Sequence, residues 1–531
     1  MEEHDVQTVL VDAHEIFKDE SVDYKAEYFY CNQADEYYTD EAMCSQNDIR
    51  MKDAYREANG LLTSEDIREI RSKYGISQKD FCILLGWGEK TITRYEGHQV
   101  QDKAHDAILK KLDQDPEWFL QLLVESERNF PQKVFQEYRE RANALFRQME
   151  EKGETAVYKI MTPGPTQVRE NVRLARSLEC TNPDLDEEFF DYYRDTCRLI
   201  SSLLDTKNET LILGGEGILG LEAVCASLTE PGDRVLVIDN GLYGKGFADF
   251  VSLYGGEPVL YTVSDREPVD VDALENYLRE HHDFKYATVV HCDTPTGVLN
   301  AVDRICPLLK SYGILTVVDS VSAMFGEGLH VDAAQIDAVC GGSQKVVSAP
   351  PGLAFVALSE DAKAAMRERK IPIASFYANL TLLMGCYEKK WFPYTMPISD
   401  IRGLRTAMEN IRDDEGRLER HVRIAAAVRT ALTEAGLELF LKDGYSATVT
   451  AFCVPEETTD RAILDTMRRE HHIMLADSFG EYAGKIIRIG HMGENANEED
   501  VRETMRALEE TLAALGVPTE TGLEQAFLSA L

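Results

Sequence analysis

The sequence predicts an α/β fold: a large domain on a mostly parallel sheet, a small C-terminal α/β domain after it, and an all-α module before it. Three observations predict this. From about Tyr158, short apolar runs alternate with helical patterns, which calls for crossover helices on both faces of a parallel sheet. Over residues 60–112, apolar positions recur at helical spacing between Ser and Gly punctuation. A chain of 531 residues is also too long for one core.

Residues 1–59 are acidic, with five Lys/Arg against sixteen Asp/Glu; Tyr28-Phe29-Tyr30 and Tyr37-Tyr38 suggest a small β element. In 60–112, Thr63 or Ser64 caps a helix carrying Ile67, Ile70 and Tyr74, and Gly75 ends it. Ser77 caps a second helix, Gln78 to Leu85; a third runs from Glu89 to Tyr95 and a fourth from Lys103 to Leu112. Residues 113–155 read as an amphipathic helical connector. The large domain, 156–423, has strands at Leu211-Ile212-Leu213, Val235 to Ile238, Ala287 to Val290 and Leu315 to Val318, and a long helix from Ile398 past Arg423. Residues 424–516 form the small domain and 517–531 a short tail.

The net charge of −37 argues against the whole molecule binding nucleic acid non-specifically, so any DNA contact must come from a local surface. Eleven cysteines without a CxxC pair fit reduced thiols in the cytoplasm, and no metal site is expected. No apolar run is long enough to span a bilayer, and the acidic N-terminus does not resemble a signal peptide.

The chemistry centres on two residues. Asp319 ends the apolar run Ile314 to Val318, and Lys345 follows in the Gly/Ser-rich turn Gly342-Ser343-Gln344-Lys345. An acid at a strand end and a lysine in a nearby turn are the parts a pyridoxal phosphate site needs. The lysine holds the cofactor's aldehyde carbon, and the carboxylate keeps the pyridine nitrogen protonated so that the ring can draw carbanion electrons. Alone, the pair equally fits a buried strand followed by a loop. Gly215-Glu216-Gly217-Ile218-Leu219-Gly220, before a helix from Leu221 to Leu228, matches the GxGxxG pattern of dinucleotide sites. The same free N–H groups would serve any phosphate.

Residues 158–515 resemble the class V aminotransferases of fold type I, the pyridoxal phosphate superfamily, and most of all the alanine–glyoxylate and serine–pyruvate enzymes. The resemblance rests on Met161 to Thr166, Asp239 to Gly244, His291 to Val298, Asp319-Ser320-Val321, Ser343-Gln344-Lys345 and Arg488 to Gly493, in that order. It implies that Lys345 holds the cofactor and shuttles a proton, and that Asp319 pairs with the ring nitrogen. It further implies that Tyr243 stacks on the ring, Val321 packs against it and Thr294 bonds near its oxygen. Gly217, Ile218, Gln344 and, from a second subunit, Thr395 would bind the phosphate. Arg488 would grip the substrate carboxylate with its guanidinium fork. One departure concerns the phosphate turn, where relatives carry Ser-Gly-His or Ser-Gly-Thr and this chain has Glu216-Gly217-Ile218. Glu216 either faces the substrate and favours a cationic amine, or is a solvated outward acid. The related cysteine desulfurases place histidines where this chain has Gln344 and Tyr243.

Residues 60–112 resemble the phage-repressor type of helix-turn-helix. That resemblance implies a core of Phe81, Leu84, Leu85, Ile92 and Tyr95, with Gln78, Lys90, Thr91, Thr93 and Arg94 facing double-stranded DNA. Nine Lys/Arg against eight Asp/Glu is weak electrostatics for DNA, and protein docking is the alternative. The expectation is therefore a homodimeric aminotransferase that moves an amino group from a small donor to a small 2-oxo acid. The alternative is a transcription regulator whose enzyme-like body senses pyridoxal phosphate or an amino acid.

Overall fold

A computed structural model of the chain describes residues 5–151 and 158–531. The chain divides into two compact units, Met1–Val157 and Tyr158–Leu531.

The first unit opens with strand β1 (Val6–Phe17), which pairs antiparallel with β2 (Glu20–Cys31), and β3 (Glu36–Tyr38) pairs with β2. The two-residue turn Lys18-Asp19 has positive φ at both positions, the geometry that matches strand twist in a tight hairpin. The unit is thus not all-α, and its sheet is larger than the small β element expected. The reason is exposure: β1 buries no residue fully, so its sequence lacks the clean alternation of a half-buried strand. Helix α1 (Glu41–Ala58) follows, then α2 (Ser64–Tyr74), α3 (Gln78–Leu84), α4 (Thr91–Tyr95) and α5 (Lys103–Gln114). Thr63, not Ser64, caps α2, in a reciprocal box with Asp66. Helix α4 starts two residues later than expected because no side chain caps it and Glu89 and Lys90 form a turn. Phe81, Ile92 and Tyr95 lie in one core with Ile67 and Tyr74, and Leu85 packs on its edge. Helices α6 (Pro116–Glu125) and α7 (Gln132–Glu151) complete the unit. The end of the expected connector, 152–155, lies outside the described residues.

The second unit is built on a seven-stranded sheet. Its strands are β4 (Glu209–Gly214), β5 (Arg234–Asp239), β6 (Glu257–Thr262), β7 (Tyr286–Val290), β8 (Leu315–Asp319), β9 (Ala338–Gly342) and β10 (Leu353–Leu358). The spatial order is β4-β10-β9-β8-β7-β5-β6, and only β10 runs antiparallel to its neighbours. Strands β7, β9 and β10 are buried throughout, as central strands covered on both faces must be. The turns that carry chemistry all leave the carboxyl ends of parallel strands, where open α/β sheets place their ligands. Helix α8 (Gly217–Leu228) follows β4, and α9 (Leu242–Leu253) follows β5.

The single long helix expected from Ile398 is two, α10 (Ile398–Arg412) and α11 (Arg417–Glu434). Asp413-Asp414-Glu415-Gly416 separates them. Three acids at a helix C-terminus oppose its dipole, and glycine weakens a helix interior. The smaller core gathers α11, β11 (Val449–Cys453), α12 (Asp460–Glu470), β12 (Ile486–Gly490) and α13 (Glu498–Ala514). The expected tail contains helix α14 (Leu523–Ala530), which buries Leu523 and Phe527 in that same core. Met161 lies there too, beside the short pairing of Lys159–Ile160 with Ile473–Met474.

Candidate active site

Lys345, Asp319, Gln344 and Gly217 border one cavity of about 310 Å³. Ile218, Tyr243, Thr294 and Val321 complete the match between expected cofactor residues and its walls. The fold brings them together because β4, β5, β7, β8 and β9 all end on this side of the sheet.

Asp319 is the last residue of β8. The backbone N–H of Val321 donates to its Oδ1 at 2.9 Å. Burial pushes its carboxyl up to about 6, against that hydrogen bond and the nearby Lys345 charge, both of which favour ionisation. Such a carboxylate is stabilised by any cation that reaches it.

Lys345 is held by the opening segment of the second unit. Its Nζ donates to the Pro163 carbonyl at 2.7 Å, and Thr166 Oγ1 donates to the Lys345 carbonyl at 3.0 Å. Gly164 has φ +100°, and a Cβ there would stand 2.4 Å from Lys345 Cδ, so only glycine lets the lysine lie against this segment. Burial first, and then the neighbouring Arg488 guanidinium, lowers the Lys345 ammonium to about 8. A neutral, nucleophilic amine is therefore accessible near neutral pH.

Arg488, on β12, does not border the cavity. Its Nε and Nη2 donate to the Asp477 carbonyl at 2.8 and 2.5 Å, and its Nη1 donates to the Thr294 carbonyl at 3.3 Å. It forms no salt bridge among the described residues; burial disfavours its charge, and the nearby Asp477 and Asp293 carboxyls favour it. Thr395 also lies off the cavity; it is exposed and donates to Asp184 at 2.8 Å.

Sequence reasoning missed the importance of Asp293. Its Oδ1 accepts from the Tyr243 backbone N–H at 3.1 Å and its Oδ2 from Thr296 Oγ1 at 3.1 Å. Burial lifts this carboxyl to about 7. Gly241 has φ +135°, and a Cβ there would meet the Asp293 carboxyl at 2.6 Å. The available signal was an acid just after the apolar strand Ala287 to Val290, beside a Thr-Pro-Thr-Gly turn.

Glu216 is exposed and borders the cavity, where the chain's own donors engage it. It is the N-cap of α8: Oε1 accepts from the Ile218 N–H at 3.3 Å, and Oε2 accepts from Gln344 Nε2 at 2.9 Å. The residues fit a pyridoxal ring well. Asp319 matches a pyridinium, Lys345 an aldehyde, and Tyr243 and Val321 supply apolar walls. At the phosphate end, Gly217 is required because a Cβ would touch both Val321 methyls at 3.0 Å. Two donors near this glycine, the Ile218 N–H and the Gln344 amide, are engaged by Glu216.

In the first unit, Lys90, Thr93 and Arg94 are exposed and Thr91 is half-buried. Gln78 is committed internally rather than free to face a ligand: its Nε2 donates to Glu96 at 2.6 Å and its Oε1 accepts from Thr93 at 3.0 Å.

The aminotransferase class-V family pattern matches residues 173–499, more than half of the chain. An aminotransferase of Methanocaldococcus jannaschii is 33% identical over 372 residues, covering 69% of this chain and 96% of that protein. A pyridoxamine–pyruvate transaminase of Mesorhizobium japonicum is 32% identical, covering 63% of this chain and 86% of that protein. The crystal structure of a ureidoglycine–glyoxylate aminotransferase from Bacillus subtilis superposes with a TM-score of 0.68 at 29% identity, covering 70% of this chain and 98% of that one. The chain belongs to the class V aminotransferases, enzymes that depend on pyridoxal 5′-phosphate.

Proposed function

We propose that this chain moves an amino group from a small amino acid or amine to a small 2-oxo acid such as pyruvate or glyoxylate. The observation that carries the reading is a buried Arg488, without a salt bridge among the described residues, whose charge reaches the cavity-lining Lys345 and, after burial, lowers its ammonium. The guanidinium would fork onto the substrate carboxylate, which places the substrate Cα toward Lys345. Bound pyridoxal phosphate supplies the electron sink that makes Cα acidic. Lys345 Nζ would hold that group until the donor arrives, then take the Cα proton and deliver it to the cofactor carbon on the far side of the amine nitrogen. Asp319 would keep the ring nitrogen protonated, Tyr243 and Val321 would hold the ring between them, and Thr294 would bond near its oxygen. Gly217, Ile218 and Gln344 would border the phosphate, with Thr395 reaching the second site of a homodimer.

The test is the visible absorption spectrum of the purified protein, before and after alanine, serine or aminoethylphosphonate is added singly. A cofactor band absent from Lys345→Ala and bleached by one donor is expected. A band that no donor bleaches would count against transamination and favour a sensing body.

We propose further that residues 60–112 contact double-stranded DNA through Lys90, Thr91, Thr93 and Arg94, and that the chain works as a homodimer in the cytoplasm. The exposed face of α4 supports the first reading, and eleven cysteines without a CxxC pair support the compartment. Among the described residues, no helix is long and apolar enough to cross a membrane. A gel shift on the DNA upstream of the coding sequence at low salt tests the contact; absence of binding there would sink it.

A further inference from the structure

The phosphate end of the cavity already holds an anion of the chain's own. Glu216 takes up the Ile218 N–H at the start of α8 and the Gln344 amide, two donors that border this end. Gln344 is only 6% exposed, and its other amide atom, Oε1, is buried without a hydrogen-bond partner among the described residues. Among the described residues, Lys345 is the only basic one on the cavity wall, and the reading above commits it to the other end of the ring.

A phosphate dianion arriving here meets three obstacles. It must displace Glu216 from both donors, it stands beside that carboxylate at like charge, and it brings no proton for Gln344 Oε1. A hydroxymethyl group avoids the first two of them. Its O–H donates to the carboxylate, which can stay where it is, and its oxygen is neutral. We propose that Glu216 makes this site discriminate against the 5′-phosphate, so that it also takes the phosphate-free ring, pyridoxal or pyridoxamine, as a ligand. The inference rests on the active-site reading above and specifies which ring that site accepts.

The experiment titrates the full-length protein, stripped of bound cofactor, with pyridoxal 5′-phosphate and separately with pyridoxal, following the absorption band of the lysine-bound ring. Wild type, Glu216→Ser, Glu216→Gln and Lys345→Ala are compared. In wild type the two dissociation constants should lie within about tenfold of each other. Glu216→Ser should tighten the phosphate form by about tenfold or more while moving pyridoxal by less than about threefold, as expected when one like charge is removed. Glu216→Gln, which keeps the size of the cap and loses its charge, should reproduce part of the gain and guards against a misfolded serine variant. Wild type binding the phosphate form more than about a hundredfold tighter, or a ratio indifferent to both substitutions, would overturn the proposal and leave the site reading intact. A wild type that develops no band with either ring, or a Lys345→Ala that keeps one, would overturn the site reading and this proposal with it.

Discussion

The backbone N–H of Tyr243 donates to Oδ1 of Asp293 across 3.1 Å, and this bond ties the turn after β5 to the turn after β7. It sets where the aromatic wall of the cavity stands. Asp293→Ala should therefore weaken ring binding through displaced Tyr243, by about tenfold from the loss of one charge-assisted hydrogen bond. Titration with pyridoxal 5′-phosphate measures it, and unchanged affinity would show that Tyr243 is placed without Asp293.

The same carboxyl makes a stability prediction. Its native pKa, about 7, lies above the ordinary 3.8, so the folded state binds the proton more tightly than the unfolded chain. The contribution is complete below the ordinary value and is lost as pH rises toward 7. Asp319, at about 6, acts in the same direction over a narrower window. The ligand-free protein should lose thermal stability between about pH 4 and 7, and Asp293→Asn, which cannot ionise, should flatten that slope.

Arg488 lowers the Lys345 ammonium, second only to burial. Removing the guanidinium in Arg488→Leu should raise the midpoint of the pH profile for cofactor capture above about 8, because the like charge that discourages protonation is gone. The same substitution should raise the donor KM by about tenfold or more through loss of a forked carboxylate contact. A shifted KM with an unmoved pH midpoint would separate the two roles.

Gly164→Ala places a Cβ 2.4 Å from Lys345 Cδ in a backbone region hostile to side chains. The cost should be about 1–3 kcal/mol of stability, with a larger defect in cofactor attachment, because the lysine is the group that must yield. Thermal melting and the absorption band, read together, check the split.

Arg56 of α1 is fully buried in the first unit. It meets Asp53 Oδ1 at 2.6 Å, Gln101 Oε1 at 3.1 Å, and the carbonyls of Tyr95 and Gln99 at 2.8 Å each. Arg56→Ala strands these acceptors and should destabilise the unit by about 3–5 kcal/mol, seen as an earlier transition in denaturant titration.

Local rules carried much of this protein. The order of apolar runs and helical patterns set the α/β body, Ser77 and Gly75 marked helix ends, and the strand-end position of Asp319 and the turn around Lys345 identified the chemistry. Those features act within a few residues, so a linear reading captures them. The rest depends on residues far apart in the chain. Met161 and α14 share the smaller core, Asp293 braces Tyr243, Gly164 accommodates Lys345, and Glu216 meets Gln344 across 128 positions. A carboxylate in a sequence has no partner until the sheet closes and decides which N–H groups face it. The sequence by itself determined which reaction class the chain serves; only the tertiary structure decided that the Ile218 N–H and the Gln344 amide meet a carboxylate of the chain's own.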